Sequence, residues 1–214
     1  MNTSASAKGS FFLHDFTVPQ PTQDADLLKH LSFLPGLKEI LMLRQVHALE
    51  HATVWVLSAS KNVQASMGRP RRSNFQVDNE FLGGLSTERG FYLYGEVNVS
   101  DLRRAVTLAL HRLTSGEWDL AVHPRCGTNV SVAMLLTAGL AVGMHLLLPR
   151  GPIEQLIGMG VATTTAAELA PDIGAFVQRY LTTSIPFNLK IENITHTRDL
   201  WGRQAYFVQV QWRE

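Results

Sequence analysis

One cysteine, Cys126, stands among 214 residues, so no disulfide can form within the chain. A lone thiol fits a reducing compartment or a cytosol-facing domain. Charge is scarce too, at 17% of residues against a usual share of about 25%. A shortage of that size suggests that part of the chain avoids water. The formal net charge is only +1, and nucleic acid is excluded as an expected partner because no field would draw the protein onto it. The N-terminus lacks the unbroken apolar run of a signal peptide. The triplets at Asn98, Asn129 and Asn193 therefore count as chance sequons. No internal repeat or low-complexity tract is present.

What is there divides into four regions and predicts an α+β fold. Residues 1–34 read as a flexible lead-in rich in Ser, Pro, Gln and Asp. A helix is expected from Pro35-Gly36 to about Ser60, because Ile40, Leu43, Val46, Leu49, Val54 and Leu57 recur at three- and four-residue steps. GRPRR (Gly68 to Arg72) is a basic loop, and GGLSTERG (Gly83 to Gly90) reads as a glycine-bracketed turn into a strand, FYLYGEV. Ser100-Asp101 then begins an amphipathic helix whose apolar stripe is Leu102, Ala105, Val106, Ala109, Leu110 and Leu113. WDLAVH (Trp118 to His123) is expected to be a second strand. Residues 35–129 thus form a helix followed by a β-α-β unit.

Residues 130–181 form one or two membrane helices, or buried core helices. Val130 to Leu148 carries no formal charge and approaches the roughly 20 residues needed to cross a bilayer. It also exceeds an ordinary core helix of about 11–12 residues, which favours the membrane reading. After a tight turn at Pro149–Pro152, a poorer apolar stretch runs from Leu156 to Ala167, short unless it extends past Glu154 or Glu168. If both cross, the hairpin returns the chain to its starting side. The arginine-rich segment before it then faces the cytoplasm of a bacterial-type membrane. Residues 182–214 end in an antiparallel β-hairpin, LKIENI paired with QAYFVQVQW, packing back on the α/β region.

The chemistry concentrates in two places. His47 and His51 of HALEH lie four apart, on one face of a helix, and can present two imidazoles to one metal ion. Glu50 lies beside them as a candidate general base. The order H-x-x-E-H reverses the H-E-x-x-H zinc motif and is the inverzincin signature. The bland alternative is a solvated polar face, or two core histidines satisfied by backbone carbonyls. Apolar flanks at Val46, Leu49, Val54 and Trp55 favour a metal, since unpaired polar groups there would be costly to bury. The thiolate of Cys126 in HPRCGTN is the expected third ligand. His123 is either the fourth, which closes the site as a structural one, or a neighbour, which leaves a position for water. Zinc suits a thiolate with imidazoles, with iron and manganese as other divalent choices. Arg125 and Thr128 are candidates to hold a substrate oxygen. Two helical histidines, a glutamate and a distant cysteine are similar to the ligand set of peptide deformylases, an analogy of ligands and not of fold.

With these motifs in view, the chain resembles the uncharacterised bacterial YqhQ-like family of metal-dependent membrane enzymes and its smaller relatives. The motifs are HALEH (His47 to His51), HPRCGT (His123 to Thr128) and QRYLTT (Gln178 to Thr183), where the family has QRxTT. The resemblance implies membrane association and a metal site at His47, Glu50, His51, His123 and Cys126. It makes Gln178, Arg179, Thr182 and Thr183 candidates to cap a helix end and brace that site. It names no substrate. Three functions follow as expectations: a membrane-associated zinc hydrolase acting on a small molecule, peptide or protein; a structural or sensory metal protein; or a non-catalytic assembly factor. The lipid bilayer is the expected partner, and a homo-oligomer is left open.

Overall fold

In the computed structural model, which describes residues 18–65 and 81–213, one long helix organises everything else. GRPRR lies outside the described residues, as does the first half of the N-terminal lead-in. The last third of that lead-in forms helix α1 (Gln23–His30). The long helix, α2 (Leu37–Ala65), begins at Gly36 as expected and runs five residues beyond Ser60. It is less amphipathic than its spacing suggests. From Gln45 to Ser58 every residue except His47 is buried, so the middle of α2 is a core helix enclosed on all sides.

Burying that helix requires its polar side chains to find partners. The Gln45 amide donates to Asp24 at 2.5 Å and to Asn188 at 3.2 Å, while its oxygen accepts from the Asn188 backbone N–H at 3.2 Å. Ser184 donates to the same Asp24 carboxylate at 2.9 Å. Thus α1 is tied to the core through one buried network.

Strands β1 (Gly83–Thr87) and β2 (Gly90–Tyr94) form a tight hairpin. GGLSTERG is therefore half strand, and its turn shrinks to Glu88 and Arg89. Helix α3 (Val99–Thr114) follows, with the Asn98 side chain accepting from the Ser100 N–H, two residues ahead of the expected start. Its predicted stripe faces inward: Leu102, Ala105, Val106, Ala109 and Leu113 are buried. The next segment corrects the reading of a β-α-β unit. Trp118–Ala121 is a 3-10 turn, closed by Leu120 N–H to Glu117 and Val122 N–H to Asp119, and not a strand. Over so few residues, alternating apolar side chains do not separate a strand from a helical turn. Here the local bonds satisfy the backbone, and Leu120 and Ala121 reach the core without a neighbouring strand.

Helices α4 (Gly127–Leu147) and α5 (Pro152–Val177) form the apolar hairpin. The second helix is longer than its apolar run, continuing past both Glu154 and Glu168. Its buried residues are Gly158, Ala162, Ala166, Ala170 and Gly174, one every four positions. Small residues in that register let two helix backbones approach closely. A Cβ at Gly174 would meet the Asn129 amide oxygen at 2.2 Å, and one at Gly158 would meet Leu148 at 2.5 Å. The larger apolar side chains instead point outward; Leu135, Leu146, Leu147, Ile153 and Leu156 are each at least 70% exposed. Among the described residues, α4 alone is long and apolar enough to cross a membrane, with a mean hydropathy of 2.0.

The chain closes with β3 (Leu189–Arg198) and β4 (Gln204–Trp212), the expected C-terminal hairpin. Strand β4 also pairs with β2, giving one antiparallel sheet in the order β1-β2-β4-β3. The fold is α+β. Phe91, Leu93, Val208 and Val210 from the sheet join Leu49, Leu102, Val106 and Leu113 from the helices in a single core.

The β3–β4 turn is held by one carboxylate. Asp199 accepts from the Tyr94 hydroxyl at 2.8 Å, from the Trp201 and Arg203 backbone N–H groups at 2.9 Å, and from Arg203 Nε at 2.7 Å. Desolvation pushes its pKa up, but these hydrogen bonds prevail and hold it at about 2. An unfolded aspartate titrates near 3.9, so the unfolded chain takes up the proton first. The contribution to stability is present above about pH 4 and is lost as pH falls toward 2. In Asp199→Asn, the urea midpoint should drop less between pH 5 and pH 2.5 than it does in wild type. Equal drops would show that this carboxylate contributes nothing.

Candidate metal centre

His47, Glu50 and His51 leave one side of α2 where the helix passes between the sheet and the start of α4. The imidazole rings of His47 and His51 are 4.3 Å apart and nearly edge to face. Each is anchored through Nδ1 to a backbone carbonyl: His47 to Thr182 at 3.0 Å and His51 to Ala121 at 2.7 Å. A carbonyl only accepts, so each Nδ1 carries the hydrogen. In the neutral ring that leaves Nε2 with a free lone pair. This is the arrangement by which backbone partners orient metal-binding histidines.

Cys126 enters from the other side. The chain leaves the 3-10 turn extended at Val122, turns at Pro124–Arg125, and starts α4 with Cys126 as its N-cap. The thiol sulfur accepts from the Thr128 N–H at 3.4 Å and lies 3.2 Å from His47 Nε2. Burial pushes the thiol up. The hydrogen bond and charge of His51, aided by Thr128, more than offset this, and the net displacement is downward. A helix N-terminus acts in the same direction. One donor atom from each of His47, His51 and Cys126 lies within 4.8 Å of the other two. Ligands on a tetrahedral zinc, with bonds of about 2.0–2.3 Å, stand roughly 3.5 Å apart. The three residues therefore fit such an ion with little movement.

His123 stands beside this group and not in it. Its ring is 5.7 Å from that of His51 and 4.6 Å from Trp55. Its Nδ1 accepts from the Arg125 N–H at 3.3 Å. Trp55 also donates to the Val122 carbonyl at 3.0 Å, so it braces the segment that carries His123.

Glu50 is outside the three-atom group but lines the same cleft, of about 630 Å³. Burial pushes its carboxyl up, opposed by a hydrogen bond from Ser86 at 2.5 Å and by the charge of His47. A Cβ at position 84 would sit 2.1 Å from Glu50 Oε1, which explains a glycine inside β1. Neither Ser86 nor Gly84 could be found from the sequence pattern, because nothing local links them to Glu50, more than thirty residues earlier.

The third motif is the brace. Gln178 is fully buried in a π turn (Gln178–Thr182) closed by the Thr183 N–H on the Gln178 carbonyl, five residues back. A π turn takes up one residue more than an α turn, which accommodates the length of QRYLTT. The Gln178 amide oxygen accepts from the His123 N–H at 2.9 Å, and its nitrogen donates to Asn129 at 2.6 Å. Thr183 donates to the Gln178 carbonyl at 2.7 Å, and the hydroxyls of Thr182 and Thr128 are 3.3 Å apart. Arg44 donates to the carbonyls of Tyr180 and Thr183. Arg125 reaches the Leu82 carbonyl at 3.4 Å. Arg179 is the exception among the expected supports. It points away from the cleft into an exposed ion pair with Asp119 at 2.5 Å.

A family model described as a domain of unknown function (DUF6391) matches residues 42–194. An uncharacterized protein of Picosynechococcus sp. is 47% identical over 209 residues, covering 98% of each chain. No solved structure matches the chain.

Proposed function

Because the chain belongs to the DUF6391 family, whose function is unknown, its activity must be argued from the site, and we propose that it is a membrane-associated, zinc-dependent hydrolase. One observation carries the reading: a ring nitrogen from each of His47 and His51 and the Cys126 sulfur converge within 4.8 Å while both Nδ1 atoms are tied to carbonyls. Such a donor set, without His123, leaves a tetrahedral ion one position for solvent or substrate. The adjoining cleft favours this catalytic version over a closed structural site.

Zinc held there supplies Lewis acidity to water and to a carbonyl oxygen. Glu50 takes a proton from the attacking water and returns it to the leaving nitrogen or oxygen. The acyl carbon keeps the water's hydroxyl and loses its bond to the leaving group. A carboxyl raised by burial suits this two-way transfer, since the pKa of a useful acid–base group lies near the working pH. Ser86 orients Glu50, and Thr182 and Ala121 orient the histidines.

The outward apolar faces of α4 and α5 support insertion of the hairpin in a bilayer, since aqueous surfaces rarely carry such large apolar patches. Both ends of the hairpin meet at the cleft, and the proposed location keeps that end in the cytoplasm. Kinship with the YqhQ-like family belongs to the same proposal. Its three motifs all lie inside the matched span.

The test uses full-length protein recovered from alkaline-washed membranes, with metal measured by elemental analysis. Glu50→Gln should retain its zinc and lose about 10²- to 10⁴-fold in hydrolysis of a panel of N-acyl and O-acyl compounds. Protein without metal, or a variant hydrolysing as fast as wild type, would refute the assignment.

A further inference from the structure

The cleft has two unlike ends. One holds His47, Glu50, His51 and Cys126. The other is walled by Ile40, Leu43 and Leu181, which are 57%, 41% and 68% exposed. Ile40 and Leu43 precede His47 on the same side of α2. Seven residues of helix place Ile40 about 10 Å from the level of His47. Leu181 lies in the π turn that follows α5, and Gly127 and Thr128, which begin α4, complete the wall. The apolar end of the cleft is therefore continuous with the base of the apolar hairpin. Arg44, fixed by the carbonyls of Tyr180 and Thr183, lines the cleft between the two ends.

We propose that the substrate is a membrane amphiphile with one acyl chain in this cleft. Its carbonyl head lies beside the group formed by His47, His51 and Cys126. The chain runs over Leu43, Ile40 and Leu181 toward the bilayer. A water-soluble peptide would gain nothing from so apolar an approach. The assignment deepens the hydrolase reading and rests on it.

Alkyl hydroxamates, which pair a metal-binding head with a chain of chosen length, probe the two claims separately. Zinc-loaded full-length protein in phosphatidylcholine nanodiscs is titrated calorimetrically with acetohydroxamate and then with homologues up to octanohydroxamate. Affinity in wild type should rise about three- to fourfold per methylene. Because longer homologues also enter the bilayer itself, the informative quantity is the slope relative to variants. Ile40→Asn and Leu181→Asn, both exposed positions, should bind acetohydroxamate like wild type and lose at least tenfold on octanohydroxamate. If acetohydroxamate binds but wild type and variants gain equally with chain length, the acyl channel is wrong and the metal site stands. If acetohydroxamate itself does not bind, the metal reading fails, and the amphiphile assignment falls with it.

Discussion

Cys126→Ser should purify with less than a tenth of the wild-type zinc, while its circular dichroism and its melting in chelator match those of metal-free wild type. The substitution separates the two roles of this side chain. Serine is a preferred N-cap, so the bond from the Thr128 N–H and the first turn of α4 survive the exchange. A serine hydroxyl, in contrast, does not ionise near neutral pH and is a poor zinc ligand. Even neighbours of metal ligands typically affect affinity 10- to 100-fold, so loss of a ligand should exceed that. His47→Ala should lose metal to a similar extent, because His47 Nε2 lies only 3.2 Å from the sulfur. A serine variant with full metal content would remove the thiol from the centre.

Gln178→Leu should lower stability by about 2–4 kcal/mol, seen as a fall of roughly 5–15 °C in melting temperature for a chain of this size. Leucine matches glutamine in bulk, so packing changes little. What changes is the pairing of groups on two other segments. The His123 N–H loses its acceptor and the Asn129 amide oxygen loses its donor, both in buried or half-buried surroundings. The segment between them carries Cys126, so zinc affinity should weaken as well. Arg179→Ala, one residue on, is the control. Its ion pair with Asp119 is more than half exposed on both sides, and such pairs contribute at most about 1 kcal/mol. Equal effects at the two positions would deny Gln178 its place as a brace.

The helix that carries the candidate ligands was legible because its information is local. His47, Glu50 and His51 share a face by spacing alone, and Cys126 stands where an apolar helix must begin. The stripe on α3 is equally local, and the structure reproduces it, whereas in β3 a bulge between Ile191 and Asn193 breaks the expected alternation. Trp118–Ala121 was misread because four residues contain too little periodicity, and because its backbone is satisfied by turns that no side-chain pattern announces. The amphipathic reading of α2 missed how completely the sheet, α3 and the 3-10 turn enclose it. Gln45, Asp24 and Asn188 show why: their partners are up to 143 residues apart, and only the folded chain brings them together. Gly84 and Ser86 belong to the same class. The position of His123 was open in the sequence; in the structure its ring packs, tilted, against that of Trp55.

The hydrogen bonds of Gln178 to His123 and Asn129 fasten the two feet of the helical hairpin to each other at one point. Strand β4, beyond the second foot, is likewise laced to β2, before the first. The peptide link at the far apex, around Arg150, is thus not what unites the two halves of the molecule. Cleaved there, the chain would remain clasped as two interlocking pieces, one bringing His47, His51 and Cys126 and the other the carbonyl that aims His47.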